Sequence, residues 1–147
     1  MPLEIRPLGP ADRALWEPLW AGYLAFYKAT LAPGATDVAW GRLTDPAEPM
    51  HALGAFEDGR LLGIVHFLYH RSTWTPGPYC YLQDLFTIEE ARGRGVGRAL
   101  IEAVYGRARD HGASRVYWLT HETNRDAMKL YDQVADRSGF VQYRKVF

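Results

Sequence analysis

Cysteine is almost missing from this chain. Cys80 stands alone among 147 residues, so no disulfide can form within the chain, and one thiol fits a reducing compartment. Neither sign of charge is in excess: Lys+Arg and Asp+Glu both number 17. A general nucleic-acid or membrane-surface role would need a basic surplus. No apolar run approaches the ~20 residues of a membrane span, and residues 1–13 lack the apolar core of a signal peptide. The expectation is a soluble, cytoplasmic protein with no nucleic-acid partner and no membrane partner. No spacing among the five His, Cys80 and the acids reads as a metal site, so no metal is expected. Internal repeats, linkers and low-complexity stretches are lacking too. What is plentiful is aromatic surface, 14% with five Trp and nine Tyr, which means a packed core or an aromatic-lined pocket. The length predicts one domain over residues 1–147.

The pattern along the chain predicts a mixed α+β sheet. Leu3 to Arg6 alternates as a short strand ended by Pro7, and Asp12 is placed to cap the first helix. Leu15, Trp16, Leu19, Trp20, Tyr23, Phe26 and Tyr27 recur at helical spacing, with Pro18 inside the pattern. A short second helix carries Val38, Trp40 and Leu43. His51 to Glu57 and Leu61 to Tyr69 read as strands around Asp58-Gly59, a strong hairpin signal. Tyr79 to Ile88 is the expected central strand. A helix from Gly95 to about Asp110 and a strand from Ser114 to Thr120 make it a βαβ unit with parallel strands. Asn124 is placed to cap a helix from Arg125 to about Asp136, and Phe140 to Phe147 alternates as a last strand.

The stretch with the most chemistry is the turn Arg92-Gly93-Arg94-Gly95-Val96-Gly97, followed by Arg98. It comes after a strand and opens a helix. Unpaired backbone N–H groups at such a helix start point at an anion, and the helix dipole favours it. Glycine lets the backbone come close and take positive φ. The dinucleotide pattern G-x-G-x-x-G fails because position 98 is Arg, and G-x-x-x-x-G-K-[ST] is absent. Arg-x-x-Gly-x-Gly does fit, at Arg92, Gly95 and Gly97. The cations Arg92, Arg94 and Arg98 suit a pyrophosphate or the 3′-phosphate of CoA. The alternative is a tight strand-to-helix turn with solvated arginines.

Four groups of residues carry a resemblance to a known family: Gln83-Asp84-Leu85-Phe86-Thr87, the glycine turn, Asn124-x-x-Ala127-x-x-x-Tyr131, and Gly139-Phe140. With them the chain resembles the GNAT superfamily of acyl-CoA-dependent N-acyltransferases. It is most similar to the spermidine/spermine branch and to the small histone and D-amino-acid acetyltransferases. The resemblance implies a GNAT fold: a mostly antiparallel sheet with a parallel βαβ core, flanked by about four helices. It implies acetyl-CoA as co-substrate and an amine acceptor attacking directly in a ternary complex. It also implies roles. Backbone groups of Leu85, Phe86 and Thr87 pair with the pantetheine arm like an added strand, and an N–H near Leu85 or Phe86 polarises the thioester carbonyl. Gly93, Arg94, Gly95, Val96, Gly97 and Arg98 hold the pyrophosphate, with Arg92 beside them. Asn124 and Ala127 lie next to the cofactor, and Tyr131 is the general acid for the CoA thiolate. Thr87 departs from the family, whose strand usually stays apolar there.

Asn124 and Tyr131 are seven apart, within about 20° of two full helical turns, so both face one side. On the acceptor side, an alkylamine with a pKa near ~10.4 must lose a proton before it attacks. Asp84, Gln83 through a water, His121, Glu122 and His66 are the candidates, with Asp84 first. In the polyamine branch an acidic pair occupies positions 83 and 84, and Gln83 here removes one of those charges. Tyr23 and Tyr27, with Trp20 and Phe26, are candidates to wall the acceptor pocket. The acceptor stays open between a small amine or polyamine, an amino acid and a protein lysine. A homodimer paired through the tail, a non-catalytic acyl-CoA-binding module and an interaction domain also stay open.

Overall fold

The computed structural model describes residues 2–147. In chain order the elements are β1 (Glu4–Pro7), α1 (Arg13–Phe26), α2 (Ala35–Leu43), β2 (Met50–Glu57), β3 (Arg60–His70), β4 (Tyr79–Thr87), α3 (Val96–His111), β5 (Val116–Tyr117) and α4 (Arg125–Val134). The strands form one sheet in the order β1-β2-β3-β4-β5. Every neighbouring pair is antiparallel except β4 and β5, which run parallel as the βαβ reading expects. Asp58 and Gly59 both take positive φ, 50° and 79°, the turn that matches strand twist in a tight hairpin.

Helices cover both faces of the sheet, which is why β3 reads as a continuous apolar run. On one face α3 buries Leu100, Ile101 and Val104 against Val65, Phe67 and Leu82. On the other, α1 and α2 bury Trp16, Leu19, Trp20, Trp40 and Leu43 against Phe56 and Ile64. Three of the five tryptophans thus belong to this second core, with Trp16 and Trp40 only 4.6 Å apart between ring centres. Two glycines allow close seating. A Cβ on Gly63 would lie 2.8 Å from the Val96 side chain, so the start of α3 rests directly on β3. A Cβ on Gly22 would lie 2.8 Å from the Phe86 ring, so α1 backbone rests on β4.

One irregularity in β4 decides which residues face which core. His66 pairs with Asp84 and Phe67 with Leu82, leaving Gln83 as the extra residue of a bulge. Cys80 and Leu82 pack under α3. Strict alternation would send Asp84 into that same apolar core. After the bulge Leu85 packs there instead, while Phe86 joins the α1 side.

Several expectations are corrected. β4 lies next to the sheet edge and β3 is the middle strand. The strand expected from Ser114 to Thr120 pairs only at Val116 and Tyr117, because β4 and β5 part beyond that point. Phe140 to Phe147 forms no strand: its apolar residues are exposed, Tyr143 at 94%, and alternation cannot create a partner ladder. Asp12 does not cap α1. Its carboxylate accepts from the Gly9 N–H at 2.8 Å and from Arg6, which holds the carboxyl below its ordinary range. Pro18, which the pattern leaves either in a first turn or inside the helix, lies inside α1.

Candidate active site

The parting of β4 and β5 builds the site. Their ladder ends at Tyr81 and Tyr117, and beyond it a cleft of about 720 Å³ opens along the rest of β4. Leu85, Phe86 and Thr87 pair on one side with β3 and line the cleft. A strand flanked on one side only has backbone donors and acceptors to spare.

The glycine turn forms one end of the cleft. Gly93 and Gly95 take φ of 77° and 82°, where any side chain is strained, and a Cβ at either would meet nothing within 4 Å. The demand for glycine is therefore conformational, and the turn's face is open. The first α3 hydrogen bond runs from the Ala99 N–H to the Gly95 carbonyl, so the N–H groups of Val96, Gly97 and Arg98 precede the helical ladder. The three arginines diverge. Arg92 donates from Nε to the Thr87 carbonyl and lies 5.8 Å from the Phe86 ring centre. Arg98 donates to Gln133 at 2.6 Å and stays in the lining. Arg94 turns away to pair with Glu57 and is not part of the lining.

α4 supplies the opposite wall with Asn124, Ala127, Leu130 and Tyr131. The seven-residue spacing does bring Asn124 and Tyr131 to one cleft. Asn124 occupies the N-cap position but makes no capping bond, contrary to expectation. Its amide instead donates to Thr120 Oγ1 at 3.1 Å, which ties the helix start to the end of the preceding segment. Tyr131 packs edge-on against Trp118, and burial, with Tyr27 nearby, pushes its phenol up to about 12. Its proton is thus retained throughout the neutral range.

On the α1 side, the bulge sets Asp84 beside His66, whose Nδ1 lies 2.9 Å from Asp84 Oδ2. His66 in turn receives the Trp16 indole N–H at 2.9 Å on Nε2. Tyr23 stacks on Trp20, and burial raises its hydroxyl far above the ordinary range, with Asp84 adding to the effect. Tyr27 is raised by the same two causes and lines the cleft together with Phe26. Gln83 is exposed. Among the described residues the His121 side chain bonds only to Thr123, in an exposed loop, and Glu122 is exposed beside it. In the sequence Trp16 reads purely as an apolar helix position. Its polar contact lies 50 residues away, on β3, and no local pattern signals it.

A family model described as Acetyltransferase (GNAT) family matches residues 16–135. The chain is 36% identical over 145 residues to the D-amino-acid N-acetyltransferase HPA3 of Saccharomyces cerevisiae, covering 97% of this chain and 90% of that protein. It is 34% identical over 85 residues to a thialysine N-epsilon-acetyltransferase of Caenorhabditis elegans, covering 58% of this chain and 52% of that protein. The crystal structure of a ribosomal-protein-alanine N-acetyltransferase from Brucella melitensis superposes with a TM-score of 0.84 at 25% identity, over 100% of both chains.

Proposed function

This chain belongs to the GNAT acetyltransferase family, and from that premise we propose that it moves the acetyl group of acetyl-CoA to the primary amine of an amino acid or similarly small molecule. The observation that carries the proposal is the β4 bulge. It puts Asp84 on the α1 face while the next three residues, paired with β3 on one side, line the cleft that Tyr131 also lines. Both halves of a two-substrate reaction thus meet along one strand.

Acetyl-CoA supplies the activated acyl group. The pyrophosphate rests on the amides from Gly93 to Arg98, with Arg92 and Arg98 adding charge. The pantetheine arm pairs with Leu85, Phe86 and Thr87, and one of their N–H groups polarises the thioester carbonyl. Asn124 and Ala127 flank the arm. Asp84 takes a proton from the incoming ammonium group, and the freed amine forms the C–N bond as the C–S bond breaks. Tyr131 hydrogen-bonds the departing sulfur, the second proton leaving nitrogen ends on that sulfur to give the free thiol, and the proton taken by Asp84 passes to solvent. Because burial makes this phenol a weaker acid than a free tyrosine, its contribution is a hydrogen bond that tightens as sulfur gains charge. Tyr23 and Tyr27 flank the amine beside Asp84.

The match to HPA3 along nearly the whole chain supports an amino-acid acceptor. Gln83, in place of a second acid, speaks against a polyamine. We further infer a homodimer in which the tail of one copy lies along β5 of the other. The tail leaves Phe140, Val141, Tyr143, Val146 and Phe147 exposed, and β5 is an edge strand with an unpaired side.

Thermal shift with acetyl-CoA, then thiol release across D- and L-amino acids, polyamines and lysine peptides, tests the reading. Stabilisation by acetyl-CoA with turnover on amino acids is the expected result. Stabilisation without turnover on any amine leaves an acyl-CoA-binding module, and no stabilisation at saturating acetyl-CoA removes the proposal.

A further inference from the structure

His66 is the one polar side chain in the buried core among the described residues, at 4% exposure. Both of its ring nitrogens are engaged, and the two partners differ in kind. An indole N–H only donates, so Nε2 must accept from Trp16, and the ring proton must sit on Nδ1. That proton points at Asp84 Oδ2, 2.9 Å away, on a carboxylate whose side chain is itself only 11% exposed. A proton on Nε2 would set two donors nose to nose in a site closed by Trp16 and Trp20, whose rings lie 6.0 and 5.3 Å from the imidazole. The ring therefore has one tautomer, and it is not the group that takes the acceptor's proton.

We propose that Trp16 and His66 are positioning residues: the indole N–H locks the imidazole tautomer, and the imidazole Nδ1–H locks the Asp84 carboxylate in one orientation. With Oδ2 held from the β3 side, the carboxylate faces the Tyr23 hydroxyl and the incoming amine from the α1 side. Tyr23, Tyr27 and Tyr81 are the titratable groups nearest the carboxylate from α1 and β4, and none is positively charged. An ammonium group is then the natural counter-charge for Asp84. The inference rests on Asp84 as proton acceptor in the proposed reaction, while the tautomer itself stands on geometry alone.

Two measurements test the two layers separately. Long-range proton–nitrogen NMR of the unmodified protein is expected to show the His66 proton on Nδ1, and a proton on Nε2 overturns the inference. The kinetic arm uses acetyl-CoA and an amine that turns over. There His66→Phe is expected to lower kcat about 50-fold or more, with KM for acetyl-CoA within about twofold. His66→Asn, whose amide N–H stands near the Nδ1 position, is expected to recover most of that loss. Trp16→Phe is expected to lower kcat about fivefold and to broaden or shift the imidazole signals as the second tautomer becomes accessible. Equal kcat for His66→Phe and His66→Asn, or full turnover by a folded His66→Phe, overturns the positioning role. Asp84→Asn separates the layers. If it keeps full turnover, the proton-acceptor reading falls and the positioning role with it. If it is inactive while His66→Phe is active, only the positioning role falls.

Discussion

Trp118 meets Tyr131 edge-on, their ring centres 5.4 Å apart at 71°, and so fixes the phenol of α4 from the segment after β5. The contact places a rigid wall behind the one tyrosine of that helix, whose hydroxyl makes no hydrogen bond among the described residues. Removing the oxygen alone should therefore spare the fold. Tyr131→Phe is expected to lower kcat by about 10- to 100-fold, within the range for loss of one positioned acid, with KM for acetyl-CoA changed less than about twofold. Steady-state thiol release at several pH values measures it. Unchanged turnover at every pH would take Tyr131 out of the reaction.

Gly95 holds φ at 82° and opens α3. An alanine there costs about 1–2 kcal/mol of left-handed strain, and the chain can relieve it by rotating the amides at the start of α3. Gly95→Ala is expected to weaken acetyl-CoA binding at least about tenfold by calorimetry. Gly106→Ala, a helical site where an added Cβ meets nothing within 4 Å, should leave binding untouched and serves as the control. Equal affinities in the two variants would separate the turn from the phosphates.

Deleting residues 140–147 removes five exposed apolar side chains and no buried one. If the tail joins two copies, light scattering will find a dimer for the full chain and a monomer for the deletion. The melting temperature of the full chain will also rise with protein concentration. A monomeric full chain at all concentrations would exclude the tail as a subunit contact.

Cys80 is fully buried under α3, and burial pushes its thiol up to about 12 from an ordinary 9.0. The unfolded chain loses this proton near pH 9, while the folded one keeps it until about 12. Over that window the native state binds more protons, so stability is fully present below pH 9 and falls as pH rises. Tyr69 and Tyr131, also raised to about 12, act in the same direction above pH 10. Cys80→Ala is expected to be less stable at pH 7, through the cavity it leaves, yet to lose less between pH 9 and 12. Chemical denaturation across that range decides; parallel losses in the two proteins would contradict the account.

Much of the architecture was legible in the residues because its signals are local. Asp58-Gly59 announces the hairpin, Gly95 and Gly112 bracket α3 as its caps, and the interval from Asn124 to Tyr131 shows that two side chains share a helix face. What escaped is non-local. The bulge at Gln83 is one extra residue with no composition of its own, yet it reverses the facing of everything after it. The bond from Trp16 to His66 joins residues that no periodicity links. The divergence of Arg94 from Arg92 and Arg98 depends on Glu57, which β2 brings near only in the folded state. The tail pattern describes alternating faces, but a strand also requires a neighbour, and the same chain does not supply one.

The ladder between β4 and β5 stops after two residue pairs. Beyond that point β4 has no strand on its second side, and part of what Leu85 to Thr87 present there is peptide group, with the Thr87 carbonyl already taken by Arg92. Recognition of that kind is blind to residue identity along the strand, provided the chain stays extended and free of proline. Thr87, which departs from the usual apolar choice, sits where such drift is cheap. If acetyl-CoA and the amine share this strand as proposed, selection can act on its outward side chains for the amine while the donor's seat stays unchanged. One scaffold could thereby acquire many acceptors without having to rebuild its grip on the common one.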